Sequence, residues 1–403
     1  MPLRGRAASA RGATRQGAAP AAPAAGRKAI ERIVFSGDFL RPVDDGTGRN
    51  PNDLRNFRSS QTDNIFWFFH LFKRKLAEAT GLPATIRTWG HGIDTPLVYD
   101  LLGAERSALG WAQAFATHEV PRDFLGLVEQ VFGGSLVVSF ELTESVKLAL
   151  SHLGIPYVDF SMHPIRFMPD VFFAVQTNHA KVFEALKPHH TASADYYDWA
   201  DILLANAVKM KKPKVPEGAT LLIGQTNVDR SLIFDGKLRN LSDFREQLAG
   251  ILDPEKPVLY KPHPYNPHGF GLYESGIPFE RVHWTSDNIY TLLASENVEQ
   301  VLGVSSSVMI EAPYFDKASK FLARSPFSIP EKAEDAKPGE FFSIYDGCFN
   351  ADFWRDILAG VMPVTAPDGR RFQRPAHMLR TSLRNFWGFN EMSTDFMVSL
   401  YQR

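Results

Sequence analysis

The feature that most constrains the fold is a short apolar run that stops at two prolines, Val-Leu-Tyr-Lys-Pro-His-Pro-Tyr-Asn over residues 258–266. A run of this length predicts a buried strand that ends abruptly, because proline cannot donate to a sheet ladder. In an open α/β sheet, ligands bind outside the carboxyl ends of the strands. We therefore expect Lys261 and His263 to lie where an anionic ligand would bind. A turn with a solvated lysine and an incidental histidine is the alternative.

Apolar runs and helical spacings alternate in two successive series along the chain, which is the βαβ rhythm of parallel sheets. The expected strands lie near residues 33–37, 84–89, 135–140 and 155–160 in the first series, and near 220–224, 258–260, 298–304 and 320–323 in the second. Residues 171–186 and 196–210 are expected to be helices. The predicted fold class is therefore α/β, with two units.

A basic, proline-broken stretch at residues 209–216 is the best candidate for the linker between the two units. We expect a first α/β unit over residues 29–212, a second over residues 213–350, and a helical segment over residues 351–403. Residues 1–28 are mainly Ala, Arg, Gly and Pro with almost no large apolar side chain, so a disordered leader or linker is expected.

Net charge and cysteine content exclude several classes of function. The formal net charge of −1 provides no global field that would recruit nucleic acid, so any anion site must come from local clusters. The single cysteine, Cys348, rules out an internal disulfide and a zinc-ribbon site, and it suits a reducing cytoplasm. No apolar run approaches the roughly 18 residues that a membrane-spanning helix needs.

Loops that follow three expected strands of the second unit should converge if its sheet is parallel. The residues expected to bind a nucleotide there are Gln225, Lys261, His263, Pro264, Ser305, Ser306, Ser307 and Glu311. The three serines begin an expected helix, where hydroxyls and backbone N–H groups would make an anion site; plain N-capping, the alternative, needs only one of them. Glu311 is close enough to the helix start to reach a ribose, or it is a solvated helix residue.

A phosphate clamp of this kind is what a nucleotide-sugar transferase needs, because donors aimed at the leaving phosphate stabilise its charge in the transition state. Asp229 lies on the loop beside the clamp and can attack or stabilise an oxocarbenium-like centre; an Asx turn is the alternative. Glu141 or Asp159 of the first unit could deprotonate the acceptor hydroxyl. No Asp-x-Asp motif stands out, so we expect no metal or other cofactor, with His263 and the serines assisting nucleotide departure.

Three strings, in this order, carry a resemblance to a known family: Gly224-Gln225…Asp229, Lys261-Pro-His-Pro264 and Ser305-Ser-Ser…Glu311-Ala312. They resemble the C-terminal halves of bacterial glycosyltransferases that use CMP-activated 2-keto acids. The His-Pro and Ser-Ser motifs are shared with bacterial sialyltransferases. The Gln-x-x-x-Asp loop and the lysine before Pro-His-Pro look more like the retaining β-Kdo transferases of capsule and O-antigen assembly.

This resemblance implies a GT-B enzyme with two Rossmann-like domains and an active site between them. CMP would be held by His263, Pro264, Ser305 and Ser306, and Asp229 would be the nucleophile that forms a glycosyl-enzyme intermediate. The donor would be CMP-β-Kdo and the acceptor a glycan, lipid-linked or not, with other glycosyltransferase modules as further partners. The expected location is the cytoplasm, with a peripheral position at the inner face of the bacterial inner membrane left open.

The first unit departs from the family pattern. Capsule relatives carry an acidic Glu-Asp-Gly-Phe-type strand tip, whereas residues 158–161 read Val-Asp-Phe-Ser, so Glu141 and Asp159 both stay candidates for the acid/base. His163 is also followed by proline, but it lacks the preceding lysine and proline and ranks second to His263. The alternatives left open are an inverting, sialyltransferase-like enzyme, a CDP-polyol phosphotransferase and a non-catalytic nucleotide-sugar-binding module.

Overall fold

The computed structural model of the protein describes residues 29–42, 59–209, 212–263, 266–269 and 271–383. The expected leader over residues 1–28 lies outside the described residues, as does part of the expected C-terminal helical segment. Within the described ranges, no helix is both long enough and apolar enough to cross a membrane.

The structure is mixed α/β, as the sequence predicts. Its strands are β1 (Arg32–Gly37), β2 (Ala84–Ile86), β3 (Thr88–Trp89), β4 (Gly92–Ile93), β5 (Ser135–Phe140), β6 (Tyr157–Met162), β7 (Phe173–Thr177), β8 (Ala219–Ile223), β9 (Ile233–Phe234), β10 (Lys237–Leu238), β11 (Val258–Lys261), β12 (Val282–Trp284), β13 (Val298–Gly303), β14 (Ala318–Phe321) and β15 (Phe342–Ile344). Its helices are α1 (Thr62–Thr80), α2 (Thr95–Leu101), α3 (Ala108–Phe115), α4 (Arg122–Phe132), α5 (Glu144–His152), α6 (Ala180–Leu186), α7 (Ser193–Val208), α8 (Arg245–Ile251), α9 (Ile289–Leu293), α10 (Val308–Glu311), α11 (Ala351–Leu358) and α12 (Met378–Leu383).

The first sheet has the strand order β15-β7-β6-β5-β1-β2. Strands β6, β5, β1 and β2 run parallel, with Val34 of β1 opposite Val137 of β5. Strands β7 and β15 complete one edge in antiparallel pairing. Because parallel strands end at the same edge of a sheet, the segments that follow β1, β5 and β6 all leave from that edge.

The second sheet has the order β12-β11-β8-β13-β14, and all of its pairs are parallel. Leu222 in the central strand β8 lies opposite Tyr260 of β11 on one side and Leu302 of β13 on the other. The loops after β8, β11 and β13 therefore leave from one edge, which is the convergence that the sequence predicts.

Both sheets are covered on both faces, which explains why their strands are continuous apolar runs. All residues of β5 and β8 are buried. Helix α1 covers one face of the first sheet with a stripe at three- and four-residue spacing, Ile65, Phe68, Phe72 and Leu76. The helix ends at Gly81, whose φ of 69° is the left-handed conformation of a helix C-cap.

The expectation of one helix over residues 171–186 is wrong for its first part. Phe173–Thr177 form strand β7, and the helix α6 is confined to Ala180–Leu186. The stretch from Val171 to Val175 is apolar without a break, and periodicity cannot distinguish a buried strand from a buried helix in such a run. Pairing with β6 on one side and β15 on the other makes it a strand.

The chain returns to the first sheet after the second. Phe342–Ile344 pair with β7, and α11 packs against α1 and α6 with Trp354 fully buried. In the other direction, α7 contributes Tyr196 and Leu203 to a core cluster of the second sheet. The packing therefore does not follow the expected unit boundaries at every point, and the division into domains stays a prediction.

Candidate functional site

Contacts made by charged residues link the carboxyl ends of the parallel strands in the first sheet to those in the second sheet. Arg41, after β1, donates from Nη2 to a backbone carbonyl of the loop after β8 at 2.6 Å. Arg230, in that loop, has its Nη2 3.5 Å from Oε1 of Glu141, which follows β5. The backbone N of Arg166, after β6, donates to Oε1 of Glu311 at 2.6 Å. We call the following residues the junction: Arg41, Glu141, Arg166, Asp229, Arg230 and Glu311.

Asp229 lies in the loop after β8, with its side chain 38% exposed. Its Oδ1 accepts from the backbone N of Ser231 at 2.9 Å, which is the Asx-type turn bond that the sequence offered as an alternative. Its Oδ2 lies 3.7 Å from Nη2 of Arg41. Partial burial raises the pKa of Asp229, but Arg41 and the Ser231 N–H outweigh it and lower that pKa overall. The turn bond thus leaves an ionised carboxylate within reach of a ligand.

Arg41 is oriented by the buried carboxyl of Asp38. Oδ1 of Asp38 accepts from the backbone N of Leu40 and of Arg41, each at 3.1 Å, and Oδ2 accepts from Nε1 of Trp111 at 3.0 Å. The guanidinium of Arg41 lies 5.2 Å from the centroid of the Trp111 ring, a cation–π distance. Burial raises the pKa of Asp38 to about 6. This arrangement fixes the segment from which Arg41 reaches Asp229.

Glu141 directly follows β5 with a φ of 57°, which a residue with a side chain rarely adopts. Its backbone N donates to the carbonyl of Phe160 at 2.7 Å, and its Oε1 accepts from the N of Met162 at 3.4 Å. Its side chain is 18% exposed. Strained backbone at a strand end is common at functional sites, because the surrounding structure holds the side chain in one place.

Asp159, the other candidate for the acid/base, is fully buried. Its Oδ1 accepts from Oγ of Ser139 at 2.7 Å and from the backbone N of Leu142 at 3.0 Å, and its Oδ2 lies 3.0 Å from Nζ of Lys147. Burial alone would lower the pKa of Lys147, but the carboxylates of Asp159 and Glu144, together with Tyr157, outweigh it and raise that pKa. The contact with Leu142 shows that Asp159 supports the turn that carries Glu141.

Gln225 and Ser305 join the ends of two neighbouring strands of the second sheet. Nε2 of Gln225 donates to Oγ of Ser305 at 3.0 Å, and Oε1 of Gln225 accepts from the backbone N of Ser305 at 2.9 Å. Ser305 is 1% exposed. Oγ of Ser306 accepts from the N of Val308 at 3.4 Å, and Ser307 precedes the four-residue helix α10. Ser306 and Ser307 are partly exposed and are better placed than Ser305 to meet a phosphate.

Lys261 is the last residue of β11, and His263 follows the strand. Lys261 is 5% exposed and its Nζ donates to the carbonyl of Asp287 at 2.6 Å. Burial lowers the pKa of His263 to about 4; nearby Lys261 lowers it further and Asp229 opposes that change. His263 is therefore neutral at pH 7 and can donate one ring N–H to a phosphate. Pro264, the remaining residue of the expected clamp, lies outside the described residues.

Glu311 is fully buried, so the alternative of a solvated helix residue is wrong. Its Oε1 accepts from the N of Arg166 and from the hydroxyl of Tyr290, the latter at 3.1 Å. Burial raises the pKa of Glu311 to about 7, against the effect of these donors and of Arg166. The carboxyl is directed to Arg166 and Tyr290, and its contact with a ribose stays a prediction.

His163, the second-ranked His-Pro motif, belongs to the core. It is 1% exposed, its Nε2 lies 2.9 Å from Oγ of Ser343, and its Nδ1 accepts from the N of Ile165 at 3.1 Å. Its ring stacks on Phe172 with 4.0 Å between centroids. These contacts account for both ring nitrogens of His163, and ligand binding by His263 stays the prediction.

Sequence reasoning assigned no role to the three arginines of the junction. Each lies just beyond a strand end: Arg41 after β1, Arg166 after β6 and Arg230 next to Asp229. The signal that could have found them is this position, because anions bind outside the carboxyl ends of parallel strands. Nothing in the sequence, however, shows that the three come together.

No group of three or more potential metal-ligating side chains occurs among the residues that the structure describes. Independence from metal stays a prediction. Two cavities lie away from the junction, one of 540 Å³ beside His190 and Trp199 and one of 440 Å³ beside Arg239 and Arg324. None of the residues expected to bind or react with substrate lines either of these two cavities.

No family model matches the chain, and no curated protein matches it. Among solved structures, the chain is similar to one described as the β-Kdo 2,7 transferase KpsC of Thermosulfurimonas dismutans. The two are 14% identical, with a TM-score of 0.31 over 63% of this chain and 86% of that chain. We therefore base the function on the contacts of the junction and on the chain's own motifs, rather than on this likeness.

Proposed function

We propose that the protein is a retaining glycosyltransferase that moves β-Kdo from CMP-β-Kdo to a glycan acceptor in bacterial surface-polysaccharide synthesis. The observation that carries this proposal is the placement of Asp229, a partly exposed carboxylate in the loop after β8, close enough to His263 to raise the pKa of that histidine. Arg230, the next residue, approaches Glu141 of the first sheet. The reaction requires a nucleophile, a hydrogen-bond donor to the leaving phosphate, and a base from the first sheet, which would be Asp229, His263 and Glu141.

The corresponding architecture is GT-B, with the donor held by the second unit and the acceptor by the first. Support comes from two separate sheets, the second parallel throughout and the first parallel over β6, β5, β1 and β2. Contacts join the carboxyl ends of these parallel strands, Arg41 to the Asp229 loop and Arg230 to Glu141. Each sheet also has core clusters of its own.

In the first chemical step, a carboxylate oxygen of Asp229 attacks the anomeric carbon of Kdo, and the bond from that carbon to the CMP phosphate oxygen breaks. CMP leaves with the bonding electron pair. The N–H of His263 and the hydroxyls of Ser306 and Ser307 donate to the departing phosphate, and the hydrogen bond between Gln225 and Ser305 joins the loops after β8 and β13. Donors already in place favour the transition state because charge develops on that phosphate.

In the second step, Glu141 accepts the proton of the acceptor hydroxyl, whose oxygen attacks the same carbon and displaces Asp229. Two displacements retain the configuration of the anomeric centre. Glu141 is preferred to Asp159 because Asp159 is fully buried and held by Ser139, Leu142 and Lys147. The acceptor is a glycan, lipid-linked or presented by another glycosyltransferase module.

Donor turnover tests this proposal. The protein is incubated with Kdo, CTP and a Kdo-activating enzyme together with short glycan acceptors, and the product is assigned by NMR. We expect a β-linked Kdo product. An α-linked product would mean a single inverting displacement instead of two. Turnover of CMP-sialic acid or CDP-glycerol alone would mean that the donor is not CMP-β-Kdo.

The variant Asp229→Asn tests the nucleophile. Because an amide cannot form the ester intermediate, we expect kcat to fall by at least about 1000-fold. Asp253→Asn is the matched control, since the exposed Asp253 makes the same kind of turn bond, to the backbone N of Glu255 at 2.9 Å. Near-normal transfer by Asp229→Asn would remove Asp229 from the mechanism.

A further inference from the structure

We propose that Arg166, assisted by Arg230, binds the carboxylate of the sugar acid and so makes the protein select acidic over neutral sugars. The inference rests on the proposed function, because it assigns one part of the same donor site. Its basis is that two buried guanidinium nitrogens of Arg166, Nε and Nη1, have no hydrogen-bond partner among the residues that the structure describes.

Arg166 is held at the junction by its backbone. Its N–H donates to Glu311 at 2.6 Å, and its carbonyl accepts from the guanidinium of Arg380. The side-chain atoms Nε and Nη1 are buried and have no hydrogen-bond partner among the residues that the structure describes, while the residue as a whole is partly exposed. A buried charged donor without a partner is strongly unfavourable, so a ligand oxygen at this position would be bound tightly.

Arg166 is the junction arginine whose positive charge is not balanced by an ion pair within the described part of the chain. Arg41 faces Asp229 at 3.7 Å and Arg230 faces Glu141 at 3.5 Å, whereas Arg166 forms no ion pair within the described part of the chain. Glu311 is the acid that acts most strongly on Arg166, and it is only partly ionised at neutral pH because burial raises its pKa to about 7.

The position of Arg166 favours the sugar carboxylate over the nucleotide phosphate. The charged groups that influence Arg166 include Glu141 and Arg230, which lie on the acid/base side of the site. The groups that influence His263, which is proposed to meet the phosphate, are instead Asp229, the proposed nucleophile, and Lys261 at the end of β11. In a guanidinium, Nη2 together with either Nε or Nη1 offers two parallel N–H donors, which match the two oxygens of a carboxylate; a neutral sugar has no such group.

The test compares Arg166→Ala and Arg166→Lys with wild type and with Arg122→Ala, which removes an exposed arginine at the start of α4. Kdo transfer gives kcat/KM, calorimetry gives the affinity for CMP, and saturation-transfer NMR compares binding of free Kdo with binding of its methyl ester. Far-UV circular dichroism and thermal unfolding show whether each variant is folded. Arg166→Lys keeps the charge and lacks the planar edge, so it serves if Arg166→Ala does not fold.

We expect both variants to lose about 10-fold to 100-fold in kcat/KM for Kdo transfer while CMP affinity stays at the wild-type value. Wild type should bind Kdo in preference to its ester, and the variants should not discriminate. Wild-type kcat/KM in a folded Arg166→Ala would overturn the inference, as would an equal loss of CMP affinity, which would place the phosphate on Arg166.

Failure of the proposed function gives a different result. If wild type transfers no Kdo, the direct comparison of Kdo and its methyl ester still decides. If wild type prefers Kdo to its methyl ester and the variants do not, the carboxylate site is supported. If wild type binds the acid and the ester equally, the carboxylate site is excluded.

Discussion

Glu311 and Asp229 are both carboxyl groups of the junction, yet their surroundings act on them in opposite directions. Burial raises the pKa of Glu311 to about 7. For Asp229, burial also acts to raise the pKa, but Arg41 and the N–H of Ser231 outweigh it and lower the pKa. At neutral pH one group is partly protonated and the other is ionised. Such a division allows one site to hold a nucleophilic carboxylate beside a nearly neutral one.

The pH dependence of stability should report Glu311. Its pKa in the folded protein, about 7, lies above its ordinary value of 4.5, so between these values the folded state binds more protons than the unfolded state. Its contribution to the free energy of unfolding is fully present below pH 4.5 and is lost as the pH rises through 7. The loss is about 1.4 kcal/mol per pH unit within that window.

Glu311→Gln isolates this contribution, because an amide oxygen can still accept from the N of Arg166 and the hydroxyl of Tyr290. We expect the stability of Glu311→Gln relative to wild type, measured by urea unfolding at several pH values, to increase steadily from pH 4.5 to pH 7 and then level off. A difference that does not change with pH would mean that Glu311 ionises normally in the folded protein.

At the scale of elements, the sequence predicts most of what positions the site. The apolar runs at β1, β5, β6, β8, β11 and β13 are long enough to be recognised, and each ends in polar residues that the structure places at a sheet edge. Strand β7 is not distinguished from a helix by the sequence, because residues 171–175, which include its first half, are apolar without a break. The sequence does not predict strand β15, because three residues are too few to show the alternation of a strand. Its partner β7 is also distant in the chain, since Ile344 pairs with Phe173.

The turn after β5 allows a prediction at the same scale. Glu141 has a φ of 57°, in which a Cβ atom is unfavourable by about 1 kcal/mol, so glycine should be preferred to alanine at this position. We expect Glu141→Gly to be more stable than Glu141→Ala by about that amount in thermal unfolding. Both variants should lose Kdo transfer, since neither can accept the acceptor's proton.

Glu141→Gly and Glu141→Ala differ by one methyl group. Their difference in stability therefore reports backbone strain at this position, separately from the effect of losing the carboxylate on transfer. Equal stability would mean that the turn relaxes when the side chain is removed. Transfer at the wild-type rate in either variant would exclude Glu141 as the base and would return Asp159 to consideration. Glu141→Gln, which keeps the size of the side chain, should behave as Glu141→Ala in transfer and as wild type in stability.

At the scale of the whole molecule, the site depends on how the two sheets meet. The resemblance that the sequence carries is confined to the loops of the second sheet, where Gln225, Asp229 and His263 lie. The contacts made by Arg41, Arg166 and Glu311 cross between the sheets. Local pattern cannot predict such contacts, since the residues are separated by 145 positions for Arg166 and Glu311 and by 187 for Arg41 and Val228.

Arg41 offers the sharpest test of this dependence, because a residue of the first sheet controls the ionisation of a residue in the second. Its charge lowers the pKa of Asp229, so Arg41→Ala should raise that pKa and move the acid limb of the kcat/KM profile for Kdo transfer to higher pH. At pH 7 we expect a loss of about 10-fold to 100-fold, since the Asp229 loop also loses the hydrogen bond from Arg41 to Val228.

Arg41→Lys keeps a positive charge near Asp229 and should keep the acid limb close to its wild-type position, while Arg122→Ala should match wild type throughout. CMP affinity should be the same in all of these proteins, because the nucleotide loops belong to the second sheet. If Arg41→Ala lowered the rate without moving the acid limb, Arg41 would act by holding the loop alone. A change in CMP affinity would instead mean that contacts across the junction also shape the nucleotide site.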